Sequence, residues 1–128
     1  MRYLIPIGRV LFALIFIVAA PRHFTQEGVQ HAAELGLPAA ALLVPLSGAM
    51  ALLGGLSLAT GYKARWGAWM LVTFLVPVTM VMHAFWRLHD VPAIRVQQAM
   101  FAKNLSMLGA ALLLTQLGER SWSLDASK

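Results

Sequence analysis

Val10-Leu11-Phe12-Ala13-Leu14-Ile15-Phe16-Ile17-Val18-Ala19-Ala20 contains no polar side chain, and its reading decides the fold. An unbroken apolar run has neither a helical nor a strand period, so it leaves no face for water. Extended back to Tyr3 it predicts a membrane-spanning helix over residues 3–20, interrupted by Arg9. Three further apolar blocks follow, over residues 39–60, 66–86 and 99–117. Each is close to the ~20 residues that cross the hydrocarbon core of a bilayer. The expected architecture is all-α: an integral membrane four-helix bundle in a bacterial-type inner membrane, one domain over residues 1–128.

Composition agrees. Apolar residues make up 59% of the chain and charged residues 12%, against about 25% charged in a soluble domain. The net charge of +5 comes from Lys and Arg gathered at the ends of the spans. There they set topology and meet lipid headgroups, so the partner is the lipid bilayer and not nucleic acid. The chain has no cysteine. Disulfides and dithiol chemistry within it are therefore excluded, and with them the small four-helix membrane enzymes that shuttle dithiols. Met1-Arg2 followed by an apolar run has the look of a signal peptide, with Val18 and Ala20 at cleavage-site spacing. Pro21 would follow the cut directly, so an uncleaved span is expected.

Residues 21–37 form the longest polar segment. Thr25 is a plausible N-cap with Glu27 in the first turn, and Gly36-Leu37-Pro38 reads as a stop. A short interfacial helix between helices one and two is expected there. Gly61-Tyr62-Lys63-Ala64-Arg65 reads as a tight basic turn, residues 87–98 as a polar loop, and Pro77 as a bend in helix three. Arg2, Lys63, Arg65, Arg120 and Lys128 fall on one side, and Arg22, Arg87 and Arg95 on the other. That bias places both termini in the cytoplasm.

Small residues recur every fourth position in Ser47, Ala51, Gly55 and Ala59 and again in Ala102, Ser106 and Ala110. Such rows let helix backbones approach closely, so both are expected to face other helices, within one chain or between copies in a homo-oligomer. Leu53-Gly54 and Leu108-Gly109 open similar stretches, which two related hairpins or chance would explain equally well.

Polar groups at membrane depth are the candidates for chemistry. Arg9 either snorkels to the inner headgroups or turns inward to meet an acid or a polar ligand. Thr79, His83, Trp86, Arg87 and Asp90 follow three- and four-residue spacing, so they are expected on one face of helix three. That face is either an interfacial belt or a ligand site. His23, with Arg22, lies at the same end, as do His31 in the interfacial helix and Gln97, Gln98, Lys103 and Asn104 at the start of helix four. Phe24, Phe85, Trp86 and Phe101 lie among them. Imidazole and amide donors beside aromatic rings suit a quinone headgroup, although any headgroup-level rim gathers such residues. The candidate ligand-binding set is His83, Trp86, Arg87, His23, Gln98, Lys103, Asn104 and Arg9. No metal site is expected, since His83, His89 and Asp90 lack a ligand spacing. No motif calls for a cofactor, and a quinone is the ligand to look for.

The chain resembles the DoxX family of small bacterial membrane proteins. The resemblance starts at Gly8-Arg9-Val10-Leu11 and Pro21-Arg22-His23-Phe24 and runs through Gly36-Leu37-Pro38, Leu53-Gly54-Gly55-Leu56 and Gly61-Tyr62-Lys63-Ala64-Arg65-Trp66-Gly67-Ala68-Trp69. It is strongest in Pro77-Val78-Thr79-Met80, His83-Ala84-Phe85-Trp86 and Met100-Phe101-Ala102-Lys103-Asn104-Leu105-Ser106. It implies a four-helix bundle with cytoplasmic termini. Relatives include the DoxD-type subunit of thiosulfate:quinone oxidoreductase, and others are associated with membrane redox systems. Many members carry a glutamate shortly before the Gly-Gly pair of helix two, where this chain has Ala51, and its lack counts against an enzymatic role. Three functions follow as expectations: a redox-associated subunit binding a quinone at the periplasmic rim beside other membrane or periplasmic redox subunits, a non-enzymatic assembly or stabilising protein acting through helix packing, and a small-solute carrier.

Overall fold

The structure, a computed structural model, describes residues 3–117. Arg2, Arg120 and Lys128, which belong to the charge bias above, lie outside the described residues. Five α-helices follow one another: α1 (Leu4–Ala19), α2 (Gln26–Glu34), α3 (Ala40–Thr60), α4 (Ala64–Met82) and α5 (Val91–Leu117). Short 3-10 turns at Ala20–Phe24 and Phe85–Arg87 extend α1 and follow α4. Four of the helices are long and apolar enough to cross a membrane, α1 and α4 together with their 3-10 turns. The fold is the expected helical bundle.

α2 forms where its sequence signals place it. Pro21 sits at the start of the 3-10 turn, whose fixed φ suits a first turn. Thr25 then leaves the helical region, and its Oγ1 accepts from the Gly28 backbone N–H at 3.1 Å and donates to the Arg22 carbonyl at 2.7 Å. A Cβ at residue 28 would run into the Arg22 carbonyl, so glycine is required for this cap to close. The helix ends at Gly36, whose φ of +96° is the left-handed stop. The Leu37 N–H returns to the Ala32 carbonyl at 3.1 Å and the Gly36 N–H to that of Ala33 at 3.0 Å.

The spanning helices pack in an arc: α1 against α3, α3 against α4, α4 against α5. α1 and α5 make no comparable backbone approach among the described residues. Side chains fill the interior between them: Ala13 and Phe16 of α1 share one core with Ala51 and Leu58 of α3, Ala68, Leu71, Phe74 and Leu75 of α4 and Ala111 of α5. Glycines allow close approach at both the α1–α3 and the α3–α4 seam. A Cβ at Gly55 would lie 2.9 Å from Ile17 and 3.4 Å from the Ala13 carbonyl, and one at Gly54 would lie 2.9 Å from Leu71 and 3.0 Å from the Gly67 carbonyl. The hairpin between α3 and α4 is tied by the Ser57 hydroxyl, which bonds the carbonyls of Tyr62 (2.6 Å) and Lys63 (3.0 Å).

Several expectations are corrected here. α4 starts at Ala64 and stops at Met82, with His83 as its C-cap, so the basic turn is shorter and the helix does not reach Trp86. α3 holds an internal proline not singled out above, Pro45, as α4 holds Pro77. Residues 91–98 are helical, not loop. Asp90 caps α5, accepting from the Ala93 N–H at 3.1 Å, and Pro92 sits in the first turn, where it removes no helical bond. On α5, Ala102 and Ser106 are exposed, and Gly109 would meet nothing within 4 Å. Within this chain the expected row is thus open at Ala102 and Ser106 and half-buried at Ala110, which leaves a seam between copies as the other of the two expected arrangements. Gly54 packs against Leu71 whereas Gly109 is open, so the two Leu-Gly motifs stand in different surroundings.

Candidate functional site at the α2 end of the bundle

The end of the bundle that carries α2 gathers most of the polar groups. α4 stops there, and the released chain turns Phe85 and Trp86 toward α5. Phe85, Trp86 and Phe101 form a mutual edge-to-face cluster with ring centroids 5.3, 5.4 and 5.8 Å apart. This geometry satisfies the ring quadrupoles and leaves ring faces outside the cluster. Trp86 remains half-exposed.

Beside this cluster the Nδ1 of His83 lies 2.7 Å from Oε1 of Gln97. His83 is half-buried and faces α5. One level deeper, Asn104 donates from Nδ2 to the Thr79 hydroxyl at 3.0 Å, and both residues are only 5% exposed. A side-chain bond of this kind between membrane helices contributes about 0.6–1.7 kcal/mol and fixes the register of the pair. A third polar pair lies across the bundle: Nδ1 of His23 is 3.0 Å from the Ser47 hydroxyl, which itself donates to the Val44 carbonyl at 2.6 Å. The His23 ring also rests 5.6 Å from that of Phe74. Gly48 makes room for this arrangement, because a Cβ there would stand 2.5 Å from that of His23.

The expected site residues therefore divide. His83 and Asn104 line the α4–α5 seam, and Trp86 closes its mouth. His23 belongs to the α1–α3 side. Trp86, Arg87 and Asp90 do not share a helical face with Thr79 and His83, since the helix ends before them. Arg87 reaches instead toward the end of α2, donating from Nη1 to the Leu35 carbonyl at 3.3 Å. Gln98 and Lys103 lie on the exposed side of α5, and the Lys103 ammonium lies 3.5 Å from the Met100 sulfur. Arg9 is at the other end of α1 and is 2% exposed, so it turns inward and does not snorkel. It shares the inner face of α1 with Ala13, Phe16 and Ala20.

Two partners were not singled out by spacing. Ser47 read only as a small packing residue, and its hydroxyl orients His23. Gln97 falls among the rim groups of the sequence but not in the candidate set, and the helical start after Asp90 is what brings it to His83. Among the described residues no group of three His, Asp or Glu side chains could hold a metal ion. A shallow open groove between α2 and the start of α3, lined by Phe24, Thr25, Gln26, Val29, Gln30 and Ala41, lies apart from these pairs and contains no titratable side chain.

The DoxX family model matches residues 4–84, from α1 to the end of α4. This chain belongs to the DoxX family. It is 29% identical over 124 residues to the inner membrane protein YphA of Escherichia coli (strain K12), covering 95% of this chain and 88% of that protein. No solved structure matches. The protein is thus a small multi-pass member of the DoxX family, embedded in a lipid bilayer. The family match ends before α5, which supplies Gln97, Phe101 and Asn104 to the seam.

Proposed function

We propose that this protein is a redox-associated subunit of the inner membrane that binds a quinone headgroup at the periplasmic mouth of the α4–α5 seam. The single observation that carries the reading is the meeting of the His83–Gln97 pair with the Phe85, Trp86 and Phe101 cluster. A planar ring with oxygen substituents needs aromatic faces to pack on and polar side chains to orient it, and both lie at the lipid boundary where an isoprenoid tail would run. The chain has no cysteine and its described residues hold no metal-binding cluster, so the electrons would come from a separate donor subunit. The inner membrane is where the printed name of the Escherichia coli relative places that protein. Both termini are cytoplasmic in this reading, because Lys63 and Arg65 join Arg2, Arg120 and Lys128 on one side.

The test is extraction of lipid-soluble molecules from the purified protein, followed by absorbance and mass analysis. A quinone is expected with wild type and is lost from His83→Ala and Phe101→Ala variants that keep their helicity. Wild type that carries none, and takes up none when reconstituted with a quinone, rejects the reading.

One observation favours a second reading, a non-enzymatic assembly or stabilising protein. Ala102, Ser106 and Gly109 form an exposed small-residue row on α5, open to another helix. Crosslinking through cysteines placed at Ala102 and Gly109 distinguishes a homo-oligomer or a different membrane partner from lipid alone.

A further inference from the structure

α5 carries two charged side chains, Arg95 and Lys103, and both are exposed cations. The depth of Lys103 follows from its neighbours. Asn104, the next residue, bonds Thr79 inside the bundle. Phe101, two residues earlier, belongs to the cluster with Phe85 and Trp86, an aromatic group of the kind that sits at headgroup level. The Lys103 backbone therefore lies about 3 Å further into the bilayer than that of Phe101. The ammonium does not stay at that depth. It is 3.5 Å from the Met100 sulfur, one turn back toward the start of α5. The side chain thus climbs out of the hydrocarbon, as a lysine on a lipid-facing flank must. A thioether is a weak acceptor, so this contact does not replace an anion.

Arg95 stands above it, eight residues earlier on the same helix. That spacing puts the two backbone positions about 12 Å apart along the axis and about 80° apart around it. Ala99, small and exposed, lies between them. Two long side chains close most of the remaining distance. Among the described residues neither cation has a carboxylate partner. Asp90, the acid nearest to Arg95 in the chain, is engaged as the cap of α5. Two cations on one flank at the lipid boundary repel each other unless an anion lies between them. The anion that the bilayer supplies at this level is a lipid phosphate.

We infer that the exposed flank of α5 binds an anionic phospholipid of the leaflet at the α2 end, its phosphate held between Lys103 and Arg95. A zwitterionic lipid suits this flank less, because it brings its own cation to a place that already holds two positive charges. The site does not depend on the ring-binding reading above.

The experiment titrates the purified protein in detergent with dioleoylphosphatidylglycerol or dioleoylphosphatidylcholine and reads bound lipid by native mass spectrometry. Wild type is expected to bind the anionic lipid about twentyfold more tightly, from about fivefold for each cation near the headgroups. Arg95→Ala and Lys103→Ala are each expected to lower that preference about fivefold, and Lys103→Arg to keep it. Arg22→Ala removes an exposed cation of the same end outside α5 and is expected to leave the preference unchanged. Equal binding of the two lipids by wild type overturns the inference. So does a preference that survives both alanine substitutions on α5, or one that Arg22→Ala lowers as much, since general charge would then be its source. A wild-type mass of two chains without bound lipid also overturns it, in favour of a second copy on this flank.

Discussion

Ser47, Ala51, Gly55 and Ala59 on α3 follow the same four-residue spacing as Ala102, Ser106 and Ala110 on α5. The bundle covers the centre of the first row and leaves Ala102 and Ser106 of the second open. α3 lies between α1 and α4, so Ala51 and Gly55 are buried. α5 is an edge helix whose close backbone neighbour is α4, and it turns Asn104, Ala111 and Thr115 inward instead. Spacing shows that a close approach is sterically allowed. It does not choose among faces when a helix has more than one apolar or small side. On α5 the choice falls to Asn104, because a buried amide must find a partner and only the α4 side offers Thr79.

The comparison is broken most forcefully at the buried charge. Arg9 and Lys103 are both cations within spanning helices, one enclosed and one open. Arg9→Ala empties a large enclosed volume and is expected to cost about 2–5 kcal/mol. Lys103→Ala should change stability by less than about 0.5 kcal/mol. Denaturation of the two variants in the same detergent compares them directly, and equal losses would mean that Arg9 is not enclosed.

The next largest effect is overpacking of α3. Gly55→Leu pushes side-chain atoms into Ile17, Phe16 and the Ala13 carbonyl, and is expected to cost about 1–3 kcal/mol. A leucine variant that melts like wild type would place the α1–α3 seam elsewhere.

Asn104→Ala addresses the contact that orients α5. It removes the bond to Thr79 and should cost about 0.6–1.7 kcal/mol. Thr79→Val should lose a similar amount, and the double variant little more than either alone, because each single change removes the same bond. Additive losses in that cycle would show that the two side chains do not interact.

The four spans were legible because runs such as Val10 to Ala20 leave only one environment that accepts them. The Thr25 cap and the Gly36 stop were equally legible, since each follows from one residue's local chemistry. The end of α4 was not. Ala84, Phe85 and Trp86 continue an apolar helix in composition, and nothing in hydropathy marks the break after Met82. The start of α5 had a readable signal, Asp90 as cap with Pro92 in the first turn, but the polar residues 93–98 resemble a loop. The candidate site suffered most from this, because its aromatic cluster and the His83–Gln97 pair both depend on where those two helices end and begin.

The smallest expected effect is the most informative about α5. Gly109 lies on an open face, with nothing within 4 Å of a Cβ placed there. Gly109→Leu should therefore leave the isolated chain within about 0.5 kcal/mol of wild type, or stabilise it slightly, since glycine in a helix interior costs about 1 kcal/mol relative to the best helix formers. The same leucine would fill the notch between Ala102 and Leu113 that a second helix would need. Melting of the variant in detergent at low protein concentration reads the first effect, and crosslinking in native membranes reads the second. If melting is unchanged while crosslinking is lost, the row is a seam between chains, and α5 would resemble α3 after all, with its neighbour supplied by another molecule. If both are unchanged, lipid covers the row. If melting itself falls by more than about 1 kcal/mol, Gly109 is packed within the chain, and the contrast between the two helices no longer holds.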